Sequence, residues 1–284
     1  MKIFFGGVRG TAPRAAPRFT EFGGHTTCLL VTGETGELLM LDAGSGVQEV
    51  NLALRVAASR ELLVLLTHLH LDHLMGLPTL APLYDETWSV EIAAAGQRAT
   101  PLAEDLARIM TPPLWPIPLA EMGAEISLRE IPADGLAPGE TALRWGGLEI
   151  AGAPVRHPDG CTAWRVDEPS TGAVFVFATD VEWASADEDQ RERLIALCRE
   201  PRPADLLIMD GQFTPGQLPQ HSGWGHSSTA ECMEVAEAAG VARLLITHHA
   251  PENDDDLLLR IETDLRRRSP GAALARQGET IVLA

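Results

Sequence analysis

The chain has 284 residues, 45% apolar and 22% charged, and its 40 Asp and Glu against 22 Lys and Arg give a formal charge of −18. That composition excludes disorder and collagen-like repeats, and the length is enough to bury roughly three quarters of the unfolded surface. The negative excess argues against a long nucleic acid gripped through its phosphates, and no run reaches the roughly 18 apolar residues of a membrane helix.

With no signal-peptide pattern in residues 1–20 and no CxxC pair among Cys28, Cys161, Cys198 and Cys232, the expectation is a soluble, cytoplasmic chain with free thiols. Short β-rich runs open it: KIFFGG (2–7), TTCLLVTG (26–33), ELLMLDAG (37–44) and ELLVLLTH (61–68). Between the last two, VQEVNLALRVAAS (47–59) places Val47, Val50, Leu54 and Val56 or Ala57 on one helical face, which predicts an α/β crossover. PLAEDLARIM (101–110) predicts a helix, and the four prolines in 112–118 forbid both helix and central strand. That stiff loop, 111–118, is either a connection packed by Trp115 and Ile117 or a wall over an active site.

A second strand group is expected from about residue 126: ISLREI, ALRWGGLEIAGAPVRH, TAWRVDE, AVFVFATD, DLLIMDGQF, ARLLITHH and ETIVLA. Two late helices are predicted. One opens on the capping-box spacing Ser228-Thr-Ala-Glu231 and ends at Gly240, and the other is DDDLLLRIETDLRRR (254–268), acidic first and basic last as the helix dipole prefers. Both strand groups end in polar, His-bearing tips without a linker between them, which predicts one domain over 1–284. Trp183, Trp224 and the Pro-rich loop are candidates for an exposed apolar patch.

The chemistry concentrates in Thr67-His68-Leu69-His70-Leu71-Asp72-His73, directly after the apolar ELLVLL. Imidazole nitrogen and carboxylate oxygen at one strand end suit zinc, manganese or iron better than calcium. Asp42, His157, Asp180 and His248 each end or follow another strand-like run. Any one of them alone is ordinarily a satisfied polar residue.

HxHxDH after an apolar strand resembles the signature of the metallo-β-lactamase superfamily, and the other four residues occur in that family's order. The resemblance implies a four-layer αββα sandwich of two mixed sheets with two divalent ions at one edge, zinc first and manganese or iron as alternatives. It implies one metal on His68, His70 and His157, a second on Asp72, His73 and His248, Asp180 between them, and Asp42 orienting the metal-binding loop without ligating. His249 rivals His248 for the last position. Asp180 stands where the family's β-lactamases usually carry cysteine, and Gly225-His226-Ser227-Ser228-Thr229-Ala230 resembles a segment of RNase Z and of the phosphoribosyl cyclic phosphate phosphodiesterases.

That branch implies hydrolysis of a small, cyclic phosphodiester by metal-activated water, with Asp72 orienting the nucleophile and His226 protonating the leaving oxygen. His25, where the branch suggests Asn, is read as holding a turn. No basic, Gly-rich arm like that of RNase Z is found, so no long nucleic acid and no membrane partner are expected, while a homodimer is compatible with the family. A metal-dependent thioester, lactone or β-lactam hydrolase and a metal-binding sensor without turnover are the competing readings.

Overall fold

Apolar runs that are buried on both faces make most of the strands of this protein, in a computed structural model that describes residues 1–96 and 100–284. The first sheet contains β1 (Lys2–Gly7), β2 (Cys28–Thr32), β3 (Leu38–Leu41), β4 (Glu61–Leu66), β5 (Ser89–Gly96) and β6 (Glu125–Pro132) in that spatial order. The second contains β7 (Leu143–Trp145), β8 (Leu148–Val155), β9 (Cys161–Glu168), β10 (Ala173–Ala178), β11 (Leu206–Asp210), β12 (Leu244–Thr247) and β13 (Ala272–Leu274). The closing strand β14 (Thr280–Val282) returns to the first sheet and pairs with β1. Both sheets are mixed, with β3 to β6 parallel in one and β10 to β13 parallel in the other.

Alternation along each strand sorts the side chains into three apolar layers. Leu63 and Leu65 of β4 face Phe175 and Phe177 of β10 across the gap between the sheets, in a core that also holds Ile3, Leu39, Trp164 and Ile208. The alternate residues Leu62, Val64 and Leu66 pack outward with Val47, Val50 and Leu54 of α1 (Val47–Leu54) and with Leu102 and Leu106 of α2 (Leu102–Ile109). On the far side, Val174 and Val176 pack with Leu194 and Leu197 of α3 (Glu188–Arg199), Val235 of α4 (Thr229–Ala239) and Leu258 of α5 (Asp255–Arg268). The order helix, sheet, sheet, helix is the expected αββα sandwich. No helix among the described residues is long and apolar enough to cross a membrane.

Several sequence expectations are corrected. ISLREI and ETIVLA are edge strands of the first sheet, paired with β5 and β1, because sequence order does not encode which sheet a strand joins. The strands β5 and β13 and the helix α3 lie outside the predicted set; α3 is strongly polar and is fixed by its Asp187–Gln190 capping box. The first helix stops at Leu54, leaving Val56 87% exposed. The two late helices form as expected, Ser228 capping α4 and Gly240 ending it at φ 70°. Trp183 is buried, so it is no part of an exposed patch.

One contact ties the sheets directly beneath the His-rich turn. Trp164 of β9 is wholly buried, and its Nε1–H donates to the carbonyl of Leu66, the last residue of β4, at 3.2 Å. Trp164→Ala is expected to lower unfolding free energy by about 3–5 kcal/mol, read from urea denaturation of the folded variant.

Candidate metal centre

Parallel strands end on the same edge, and this positions the polar residues. Since β8 and β10 both run antiparallel to β9, β8 points the same way as β10, β11 and β12. Asp42 follows β3, the 67–73 turn follows β4, and His157, Asp180 and His248 follow β8, β10 and β12. Asp42, Asp180 and His248 take left-handed φ values of 57°, 52° and 62°. Such conformations cost of order 1–3 kcal/mol each for a non-glycine residue and cluster where function requires them.

The side chains converge as two groups. His68, His70, His157 and Asp180 form the first, and Asp72, His73 and His248 the second, each able to offer atoms within 4.8 Å of one another. Asp180 reaches into both. Its Oδ2 lies 3.6 Å from His68 Nε2 and 3.7 Å from His157 Nε2, while its Oδ1 lies 3.2 Å from both His73 Nε2 and His248 Nε2. Asp72 Oδ2 stands 3.5 Å from His73 Nε2 and 3.4 Å from His248 Nε2.

Four of the five imidazoles are held from behind. Nδ1 of His73 donates to Asp42 Oδ2 at 2.8 Å, Nδ1 of His157 to the Gly225 carbonyl at 2.8 Å, and Nδ1 of His248 to Gln212 Oε1 at 3.2 Å. Thr67 gives its hydroxyl proton to Asp42, so its oxygen is the acceptor for His68 Nδ1 at 3.1 Å. With Nδ1 occupied, each ring, when neutral, presents its Nε2 lone pair to the centre. His73 Nε2 and His248 Nε2 are 3.2 Å apart, His157 Nε2 and His70 Nδ1 are 3.0 Å apart, and His68 Nε2 is buried without a hydrogen-bond partner among the described residues. Facing lone pairs repel unless a cation lies between them. Two nitrogens on a tetrahedral zinc, at its usual ~2.0–2.1 Å bonds, would be about 3.3 Å apart, so the donor set fits a divalent ion.

The charges follow the same geometry. Burial opposes ionisation of Asp180, but His248, His73 and His68 hold it well below the usual carboxylate range, and Asp72 is held down by His73 and His248 despite its own burial. His73 is raised well above an ordinary imidazole, its burial outweighed by Asp180, Asp72 and Asp42. His68 is pushed well down by burial and by His73, and His157 is lowered chiefly by burial. A proton on His73 therefore holds the place a cation would take, and metal entry displaces it.

His226 lies beside the second group, within ligand reach of Asp180 and His248. Asp210 Oδ2 accepts from its Nδ1 at 2.9 Å, and the ring stacks on His248 at 5.0 Å. Burial lowers its pKa, but the charge and hydrogen bond of Asp210, with Asp180 and Asp72 behind, raise it to about 9. His249 turns away: its Nε2 bonds the Ala275 carbonyl at 2.9 Å, it packs edge-on to Phe22, and burial and Arg9 press it to about 3. His25 is bonded to Ser45 and belongs to neither group.

Sequence reading missed Asp210, Gln212 and Thr11, although Asp210 ends an apolar strand much as Asp42 and Asp180 follow theirs. Thr11 N–H donates to Asp72 Oδ2 at 2.7 Å, and its hydroxyl accepts from Gln212 Nε2 at 3.1 Å. Gly225 is required here, because at φ 91° a Cβ would come within 2.1 Å of His157 Nδ1.

Two cavities open at the ligands. One of about 250 Å³ is lined by Thr11, Asp72, His157, Asp180, Trp224 and His226 among others. The other, about 620 Å³, lies beyond His70 against Asp105, Arg108 and Ile109. No residue of 111–118 lines either one; Trp115 instead donates to the Tyr84 hydroxyl at 3.0 Å, which fits the packed connection of the two alternatives, and α2 supplies a wall of the larger cavity.

Residues 39–249 match the sequence profile of the Beta-lactamase superfamily domain. A "Ribonuclease Z" of Metallosphaera sedula is 26% identical over 278 residues, covering 87% of this chain and 88% of that protein. The crystal structure of human tRNase Z, short form, superposes with a TM-score of 0.71 at 20% identity, covering 100% of both chains. A diphosphatase from the PhnP family gives 0.69 at 16% identity, covering 100% of this chain and 98% of that one. The chain belongs to the metallo-β-lactamase superfamily, in its RNase Z-like branch. The relatives' name conflicts with the exclusion of long nucleic acids drawn from net charge.

Removing the Gln212 amide frees the His248 ring without touching a ligand. Gln212→Ala is expected to weaken zinc binding about 10–100-fold, measured by competition with a chromophoric chelator, with an unchanged far-UV spectrum.

Proposed function

We propose that this chain is a dimetal phosphodiesterase acting on a small, cyclic phosphodiester. The observation that carries the reading is Asp180, whose two oxygens reach two groups of Nε2-presenting histidines, with the His226–Asp210 pair beside them. His68, His70 and His157 would hold one divalent ion and Asp72, His73 and His248 the other, zinc before manganese or iron. Such ions, when bound, polarise a phosphoryl oxygen and bring a water's pKa near neutrality.

The chain's own residues do the rest. Thr11 N–H fixes Asp72 through Oδ2, leaving Oδ1 to accept a hydrogen bond from the attacking water and aim it. Asp210 holds Nδ1 of His226, so Nε2 is the nitrogen that gives a proton to the departing alkoxide in the same cavity. A small substrate is supported by that cavity's size and by a lining that holds no Lys or Arg among the described residues. Attraction for the phosphate then comes from the cations rather than from the chain's −18. A second reading, cleavage of an RNA, is favoured by the name of the relatives.

Metal analysis with a panel of 1,2-, 2′,3′- and 3′,5′-cyclic phosphates, a tRNA precursor and a lactone separates these. Two metals per chain and turnover of a cyclic phosphate are expected. Cleavage of the precursor alone overturns the small substrate, and turnover of the lactone alone overturns phosphodiester chemistry. His226→Ala should keep both metals and lose about 10²–10⁴ in kcat. Asp210→Asn removes the negative charge that raises His226, so its pKa falls and the alkaline limb of the kcat profile should move to lower pH.

A further inference from the structure

Trp224 is 56% exposed, the most exposed tryptophan at the rim of the ligand cavity, which it lines together with His157, Asp180 and His226. An indole left in water on a free loop would need no explanation. This one is fixed. The Gly223 N–H donates to Glu182 Oε1 at 2.5 Å, the Trp224 N–H donates to the His221 carbonyl at 3.1 Å, and the Gly225 carbonyl accepts from the ligand-group residue His157 at 2.8 Å. The backbone is thus tied on both sides of the residue, once to the edge of the metal centre itself.

Its ring is braced as well. His221 meets the indole edge-on with centroids 4.8 Å apart and lies flat on Phe213 at 4.1 Å, and Phe213 in turn meets His226 edge-on at 6.1 Å. A continuous aromatic path therefore runs from His226 to an exposed indole that lines the cavity. The polar lining is committed to phosphate, metals and proton transfer, and no Lys or Arg reaches this cavity among the described residues. Trp224 is then the planar, apolar surface that this cavity offers to the body of a substrate.

We propose that Trp224 is a stacking platform for a nucleobase, which makes a nucleoside cyclic phosphate, rather than a bare sugar phosphate, the preferred substrate. This rests on the phosphodiesterase reading above. Base stacking on a rigid aromatic is sequence-tolerant, and its loss should show as a binding change of about tenfold, equivalent to about 1.4 kcal/mol.

The test compares metal-loaded wild type, Trp224→Ala and Trp224→Phe on adenosine 2′,3′-cyclic phosphate and on the cyclic phosphate of methyl riboside, which has no base. Trp224→Ala should raise KM for the adenosine compound about tenfold at unchanged kcat, metal content and melting temperature, with KM for the base-free compound unchanged and Trp224→Phe largely restored. Equal changes on both compounds, or none on the adenosine compound, overturn the platform. If wild type hydrolyses neither, the phosphodiesterase reading fails separately, and calorimetric binding of adenosine 2′-monophosphate decides the platform. About tenfold weaker binding by Trp224→Ala upholds it; equal binding, or none by wild type, overturns it.

Discussion

Everything in the centre depends on which nitrogen of each histidine carries a proton. A neutral imidazole can point either a donor or a lone pair inward, and burial alone does not choose between them. Here the choice is made from outside, by Asp42 behind His73, Thr67 behind His68, the Gly225 carbonyl behind His157 and Gln212 behind His248. Once these four acceptors are in place, four Nε2 lone pairs are directed at one buried carboxylate. Asp42 has a double duty, since it also receives the Thr67 N–H at 2.8 Å and so fixes the start of the turn that carries His68, His70, Asp72 and His73.

The sandwich supplies what this arrangement needs, a rigid edge where strand ends meet. Six strands contribute, and their inner faces are locked by a core in which Leu63, Leu65, Phe175 and Phe177 are wholly buried. The left-handed turns at Asp42, Asp180 and His248 would relax on a loop of their own. They persist because the strand before each one is paired on both sides and cannot shift. Trp164, donating to Leu66, carries the same rigidity from one sheet to the other just beneath the turn.

This explains which parts were legible in the sequence. His68, His70, Asp72 and His73 stand together in six residues, and Asp180 and His248 each follow a run of buried aliphatics and aromatics, so local pattern is enough to find them. The αββα architecture was legible through family resemblance, whereas sheet membership of β6 and β14 was not, because a strand's partner is a long-range fact that its own residues do not encode. Gln212 and Thr11 were invisible for a related reason: each acts through hydrogen bonds to residues far off in the chain, and neither residue type announces that role. Asp210 could have been found, since it ends DLLIMD as its counterparts follow their own strands. The helix α3 was missed because its polar surface hides its apolar stripe of Leu194, Leu197 and Cys198.

Net charge is a weak guide to what this site can bind. The formal −18 counts every carboxylate equally, but screening limits the reach of an exposed charge to about 8–10 Å at physiological salt. Acidic runs at the starts of α3 and α5 belong to helix termini, where they serve the dipole. The larger cavity at the ligands, lined by His68 and His70, also carries Arg108. A chain can therefore be strongly acidic overall and still offer a cation beside its site. Whole-molecule charge bears on how fast a polyanion arrives, whereas what is cut depends on the groups that touch it. Those groups are a carboxylate shared between two histidine clusters, an imidazole backed by Asp210, and an exposed indole at the cavity rim, and the sum of charges over the whole chain describes none of them.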